Sequence, residues 1–191
     1  APWESILPNN IIGTYNVLRA CQEAGVSRVV FASTNHVVGY YPEKDDPYKA
    51  LFEGRIDQVS KPIRQLTTDL LRPDCLYGVS KAFGESLGQL YHEKYGISFI
   101  ALRIGGVSMK EGWQRDSYPG LAMWLSHRDA AQLIERSIDA PKSVGHLIVY
   151  GMSGNSLRIH EIETANSILG YTPQDNAGED LNPENTNSEP Y

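Results

Sequence analysis

Arg28-Val29-Val30-Phe31-Ala32-Ser33-Thr34 is the stretch that decides the reading of the fold. Its β-branched and aromatic run has the length and composition of a strand buried on both faces, as strands in parallel sheets are. Upstream, from Ser5 to Ala24, Ile6, Ile11, Tyr15, Leu18 and Cys21 recur at helical spacing, and Gly25 closes the run where a helix end favours glycine. A helix, a tight turn and a buried strand make half of an α/β unit.

The alternation repeats downstream. Residues Tyr40 to Asp74 are rich in Pro, Asp and Lys, which predicts a long, partly structured insertion at the C-terminal end of the first strand, where loops carry function. A helix is expected from Leu76 to Tyr95, ending at Gly96, and Ser98 to Val107 (SFIALRIGGV) reads as a second buried strand. A helix from Ser126 to Ala140, a strand from Gly145 to Tyr150 and a helix from Arg158 to Leu169 follow. In Ser126-His127-Arg128-Asp129 a hydroxyl and an acid three residues on fit a capping box. The pattern predicts a parallel sheet with helices on its faces.

Charge and composition exclude several classes. A net charge of -6 and a pI near 5.3 oppose binding to nucleic acid or to anionic membrane surfaces. No apolar run approaches the roughly 18 residues of a membrane span. Cys21 and Cys75 stand apart from each other and from any histidine cluster, so neither a disulfide framework nor a metal site is expected.

Tyr77-Gly78-Val79-Ser80-Lys81 places a phenol and an ammonium one helical turn apart, on one face. A phenol is a poor base at neutral pH, and a neighbouring lysine charge favours its phenolate, as alcohol oxidation requires. Chance alone supplies about 0.4 matches to this spacing in such a composition. Tyr40 and Lys44 form a second match, but Pro42 between them argues against a shared helical face.

Five elements in order resemble the extended short-chain dehydrogenases. They are Asn10-Ile11-Ile12-Gly13-Thr14; Ser33-Thr34-Asn35-His36-Val37-Val38-Gly39; Tyr77 to Lys81; Arg103-Ile104-Gly105; and Arg128 to Ala131. Within that family FASTNHVVGYY and LYGVSKAFGE look most like uronate dehydrogenases and related aldose or sugar-phosphate dehydrogenases. The resemblance implies the C-terminal part of a Rossmann-type doubly wound parallel sheet with a small substrate-binding region. Residues 1–173 would be a partial NAD(P)-binding domain, and 174–191 a mobile acidic tail.

It further implies Tyr77 as base, Lys81 as the residue that holds the cofactor ribose, and Thr34 as the hydroxyl that orients substrate. Asn35 and His36 would bind sugar hydroxyls or a carboxylate, and Ile104 would pass backbone near the nicotinamide. Read alone, Thr34 and Asn35 also suit a strand end, His36 a structural role and Ile104 core packing. The implied cofactor is NAD or NADP, with NAD favoured; the substrate is a small sugar or sugar acid; the protein is a cytoplasmic homodimer without a metal.

Gly106 stands where uronate dehydrogenases place a serine, and Arg115 is the nearest candidate for a carboxylate-binding arginine. No G-x-x-G-x-x-G loop occurs, so the chain reads as lacking the first half of the expected sheet. A nucleotide-sugar epimerase or dehydratase, or a non-catalytic interaction protein of the same fold, stays open as an alternative.

Overall fold

The computed structural model describes residues 1–112 and 116–178. The chain opens as α1 (Trp3–Ile6), widens into a π-helical segment, Leu7–Ile12, and continues as α2 (Gly13–Glu23). Pro8 sits in the first turn of this segment, and Gly13 N–H reaches back five residues to the Pro8 carbonyl. The expected helix is present in extent but not regular in pitch, and Gly25 ends it in the left-handed region, with φ 68°.

β1 (Arg28–Thr34) leads through a 3-10 turn, Asn35–Val38, into the short helices α3 (Tyr40–Lys44) and α4 (Tyr48–Phe52) of the insertion. Then come α5 (Leu76–Tyr95), β2 (Ser98–Ile104), α6 (Tyr118–Met123), α7 (His127–Ile138), β3 (His146–Gly151) and α8 (Glu163–Leu169). The three strands are parallel in the order β1-β2-β3. Among the described residues no helix is long and apolar enough to cross a membrane.

Side chains alternate across β2 as strand geometry demands. Phe99 and Ala101 pack with Leu18 and Tyr91, from α2 and α5, while Ile100 and Leu102 pack on the other face with Leu133, Ala165 and Leu169, from α7 and α8. Helices thus cover both faces, which is the doubly wound arrangement. α5 comes close because it has no side chain at Gly84 and Gly88: a Cβ there would lie 2.4 Å from the Phe31 ring and 2.2 Å from the Phe99 ring. Filling its notch, the fully buried Phe99 ring contributes about 1.5–3 kcal/mol, and the partly buried Phe31 ring less. A third cluster joins Val37, Leu51, Leu66, Tyr150, Met152 and Ile159, and gives the insertion a core of its own beyond the strand ends.

The structure corrects several boundaries. β2 stops at Ile104 rather than Val107, because Gly106 N–H donates to the Met123 carbonyl and its carbonyl accepts from Leu125 N–H; Gly105 allows this close approach, since a Cβ there would lie 2.1 Å from the Met123 carbonyl. Residues 158–161 are not helical: Leu66 N–H donates to the Ile159 carbonyl and Glu161 N–H to that of Leu66, which uses this backbone in a bridge.

α6, capped by Ser117 with Pro119 in its first turn, is too short to show a period. Ser126 does cap α7, accepting from Asp129 N–H, but the buried Asp129 carboxylate accepts from Ser153 Oγ and from the backbone of Gln174 and Asp175. Gln174 to Gly178 are therefore docked, and the rest of the expected tail, like Arg115, lies outside the described residues. Pro42 is accommodated in the first turn of α3, so Tyr40 and Lys44 do share a face, with Lys44 Nζ 5.6 Å from the Tyr40 ring centroid.

Candidate active site

The site is assembled where β1 and β2 end. Strand pairing sets Thr34 beside Ile104, with Thr34 only 5% exposed and Ile104 partly buried. Thr34 Oγ1 accepts the His36 N–H at 3.3 Å and donates to Asn35 Oδ1 at 3.4 Å, which starts the 3-10 turn and reverses the chain at the sheet edge. The strand-ending role read from composition is thus real, and it fixes the hydroxyl at the strand terminus. Asn35 Nδ2 lies 3.2 Å from Met123 Sδ, tying this turn to the end of α6.

His36 faces Asp74. The ring Nδ1 sits 2.8 and 3.0 Å from the two carboxylate oxygens, so a proton on Nδ1 donates to Asp74 and leaves Nε2 for another partner. Asp74 is held in place by backbone: its N–H reaches the His36 carbonyl, Arg72 N–H reaches that of Val37, and Tyr40 N–H that of Arg72. Gly39 makes room, since a Cβ there would lie 1.8 Å from Asp74 Oδ2. The glycine that closes the Ser33 to Gly39 element therefore admits this carboxylate.

Cys75 caps α5, its Sγ accepting Gly78 N–H at 3.4 Å. Gly78 lets the first turn of α5 meet the β1 turn, because a Cβ would lie 2.5 Å from the His36 carbonyl. The contact brings the Tyr77 ring edge-on to His36, centroids 6.0 Å apart at 78°. Lys81 follows one turn on, its Nζ 5.5 Å from the Tyr77 centroid and 4.9 Å from that of Phe31. Among the described residues neither Tyr77 Oη nor Lys81 Nζ has a hydrogen-bond partner.

Electrostatics in the protein itself run against the simplest expectation. Burial, with a smaller contribution from Cys75, pushes the Tyr77 phenol up, and burial pulls the Lys81 ammonium down. Loss of water favours the uncharged form of each group.

Two further contacts fix α5. Asn10 Nδ2 donates to Ser80 Oγ at 2.8 Å, and that hydroxyl donates to the Tyr77 carbonyl, which links the π-helical segment to the Tyr77 turn. Glu85, two turns from Tyr77 on the same stripe, accepts from Ser33 Oγ at 2.6 Å and pairs in bidentate fashion with Arg103. Sequence reasoning missed Asp74, Met123 and Glu85. Only Glu85 had a signal, lying four residues past Lys81 in helical register.

His36, Asp74 and Cys75 bring their donor atoms within 4.8 Å of one another. Their positions, 36 and 74–75, are too far apart for any spacing rule to reveal this.

The profile of the NAD dependent epimerase/dehydratase family matches residues 2–111. The chain is 42% identical over 94% of its length to the NAD-dependent glucose-6-phosphate dehydrogenase of Haloferax volcanii, and 37% over 92% to the uronate dehydrogenase of Agrobacterium fabrum. It spans 65% and 57% of the lengths of those two proteins. The crystal structure of a glucuronic acid dehydrogenase from Chromohalobacter salexigens superposes with a TM-score of 0.73 at 37% identity, covering 92% of this chain and 57% of that one. A family match over more than half of its residues, on a fold that carries the family's motifs in place, shows that the chain belongs to the NAD dependent epimerase/dehydratase family.

Proposed function

We propose that the protein is an NAD-linked dehydrogenase that oxidises a ring hydroxyl of a small sugar, sugar acid or sugar phosphate. One observation carries this reading: Tyr77 and Lys81 share a face of α5, Tyr77 edge-on to His36 and Lys81 over the Phe31 and Tyr77 rings, and neither the phenol nor the ammonium makes a hydrogen bond among the described residues. A scaffold would satisfy two such partly buried polar groups internally.

In this reading Thr34 Oγ1 and Tyr77 Oη grip the substrate hydroxyl and Tyr77 removes its proton. The unpaired Lys81 ammonium fits the hydroxyls of the cofactor ribose, and the backbone at Ile104 borders the same space. NAD, when bound, supplies the hydride acceptor and a cationic ring that favours the phenolate. NAD is preferred to NADP because the relative at 42% identity is named for NAD.

Asn35 and His36, with Asp74 setting the tautomer of His36, supply the contacts to the sugar. Gly106 does not take the place of a substrate-binding serine, since its N–H and carbonyl are used by Met123 and Leu125. That favours recognition through Asn35 and His36. Ile12, Tyr15, Val17 and Val79, exposed on the helices of one face, support a homodimer. The free cysteines Cys21 and Cys75 suit a reducing cytoplasm.

The test is cofactor reduction by the complete protein with glucuronate, galacturonate, glucose and glucose 6-phosphate. At least one should be oxidised, and UDP-sugars should be neither oxidised nor epimerised. Activity confined to UDP-sugars would refute the small-substrate reading.

A further inference from the structure

His36, Asp74 and Cys75 are the one group of three such side chains among the described residues whose donor atoms converge. The three present an imidazole nitrogen, a carboxylate oxygen and a sulfur, and each is at least partly open to solvent. Mixed N, O and S donors are the set that Zn2+ takes, whereas Mg2+ and Ca2+ require oxygen ligands. Three protein ligands with an open fourth position is a recurrent zinc arrangement.

The donors are also held in advance of any ion. The segments bearing them are bridged by Asp74 N–H to the His36 carbonyl and Arg72 N–H to that of Val37. Gly39 seats the Asp74 carboxylate, and Cys75 is fixed as the cap of α5. Tetrahedral zinc bonds put donor atoms roughly 3.3–3.7 Å apart. The His36–Asp74 separation of 2.8 Å would open slightly, and the wider separations within the 4.8 Å group would close.

We propose that His36, Asp74 and Cys75 form an inhibitory site for Zn2+ at the rim of the substrate site. Binding follows from the three donors alone; inhibition rests on the catalytic reading above. An ion there takes the Nδ1 that faces Asp74 and moves the imidazole proton to Nε2, so the ring that lies edge-on to Tyr77, centroids 6.0 Å apart, meets the sugar as a donor instead of an acceptor. The reaction does not require the ion, because Tyr77 and Lys81 already supply the base and its partner.

The test begins with ZnCl2 titrated calorimetrically into the protein in a non-thiol reductant. Binding of one equivalent with a micromolar or tighter Kd is expected, with a Tm increase that MgCl2 does not produce. Cys75→Ser keeps an oxygen to cap α5 but loses the thiolate; it should weaken Zn2+ binding at least tenfold while its zinc-free Tm stays near wild type. Cys21→Ser should bind as wild type does. CoCl2 should give a thiolate-to-cobalt charge-transfer band that Cys75→Ser lacks. Unchanged zinc affinity in Cys75→Ser, or no binding up to millimolar ZnCl2, would overturn the site. In the complete enzyme Zn2+ should inhibit reversibly with EDTA, and the ratio of activities with and without Zn2+ should approach one in Cys75→Ser. Zinc bound at the site with that ratio already near one in wild type would overturn the inhibitory role, whereas an enzyme inactive on every sugar without zinc would overturn the catalytic reading instead.

Discussion

Glu85→Gln probes what holds the Tyr77–Lys81 helix to the sheet. Arg103 donates from Nε to Glu85 Oε1 at 2.9 Å and from Nη2 to Oε2 at 2.8 Å, with the two side chains only 3% and 5% exposed. Burial works against the Arg103 charge, but its bonds to Glu85 outweigh that and raise its pKa, so the guanidinium stays charged. A glutamine keeps one acceptor and in either orientation turns its NH2 toward a guanidinium N–H. An uncompensated buried cation then remains, at a cost of about 3–5 kcal/mol.

For a chain of this size each kcal/mol moves Tm by about 2–4 °C, so a fall of about 6–20 °C is expected. Urea denaturation followed by circular dichroism should show a lower midpoint with an unchanged slope, the signature of lost stability without altered compactness. The double change Glu85→Leu with Arg103→Met should recover most of the loss, because a packed apolar pair needs no compensation. A Glu85→Gln protein within about 0.5 kcal/mol of wild type, or a double variant no better than the single, would refute the assignment.

In the complete enzyme Tyr77→Phe should lower kcat by about 10²–10⁴ with cofactor affinity retained, whereas Tyr40→Phe, at the second Tyr-Lys spacing, should stay within a few-fold of wild type; steady-state kinetics decide between them. His160 is fully buried with Nδ1 unpartnered, and burial together with Arg103 and Arg158 pulls its pKa from 6.5 to about 3. Between those values the unfolded chain binds a proton that the folded chain does not, so stability should fall as pH drops through that window, by up to about 1.4 kcal/mol per pH unit. His160→Phe should flatten the slope, and urea midpoints at several pH values that keep it would exclude the residue. Calorimetry of the 191-residue chain with NAD should give no measurable heat, since the sequence has no glycine-rich pyrophosphate loop; micromolar affinity would show that cofactor recognition lies elsewhere.

Strands β1 and β3 and helices α2, α5 and α7 were legible because their signals are local. Val29 to Phe31 read as a strand because β-branched and aromatic side chains fit a pleated surface, although in β1 they are only partly buried, and the one-turn spacing of Tyr77 and Lys81 fixes a shared face whatever surrounds it. Gly25 and Gly96 mark helix ends because only glycine enters the left-handed region at low cost. Less was visible where backbone serves a distant partner. The stretch 158–161 has a helical apolar pattern but bonds to Leu66, and Ser98 to Val107 reads as one strand although the backbone at Gly106 turns to Met123 and Leu125 instead.

By itself, then, the sequence determined the alternation of helix and strand, the Tyr77–Lys81 pair and the hydroxyl at the end of β1, all set by backbone geometry within a few residues. Only the tertiary structure decided that His36 meets Asp74 across 38 residues, that Asn10 reaches Ser80 across 70, and that Glu85 joins Ser33 and Arg103 from three elements. Such contacts depend on which apolar faces bury together and on where glycine lets backbones approach. Neither leaves a periodicity in the chain.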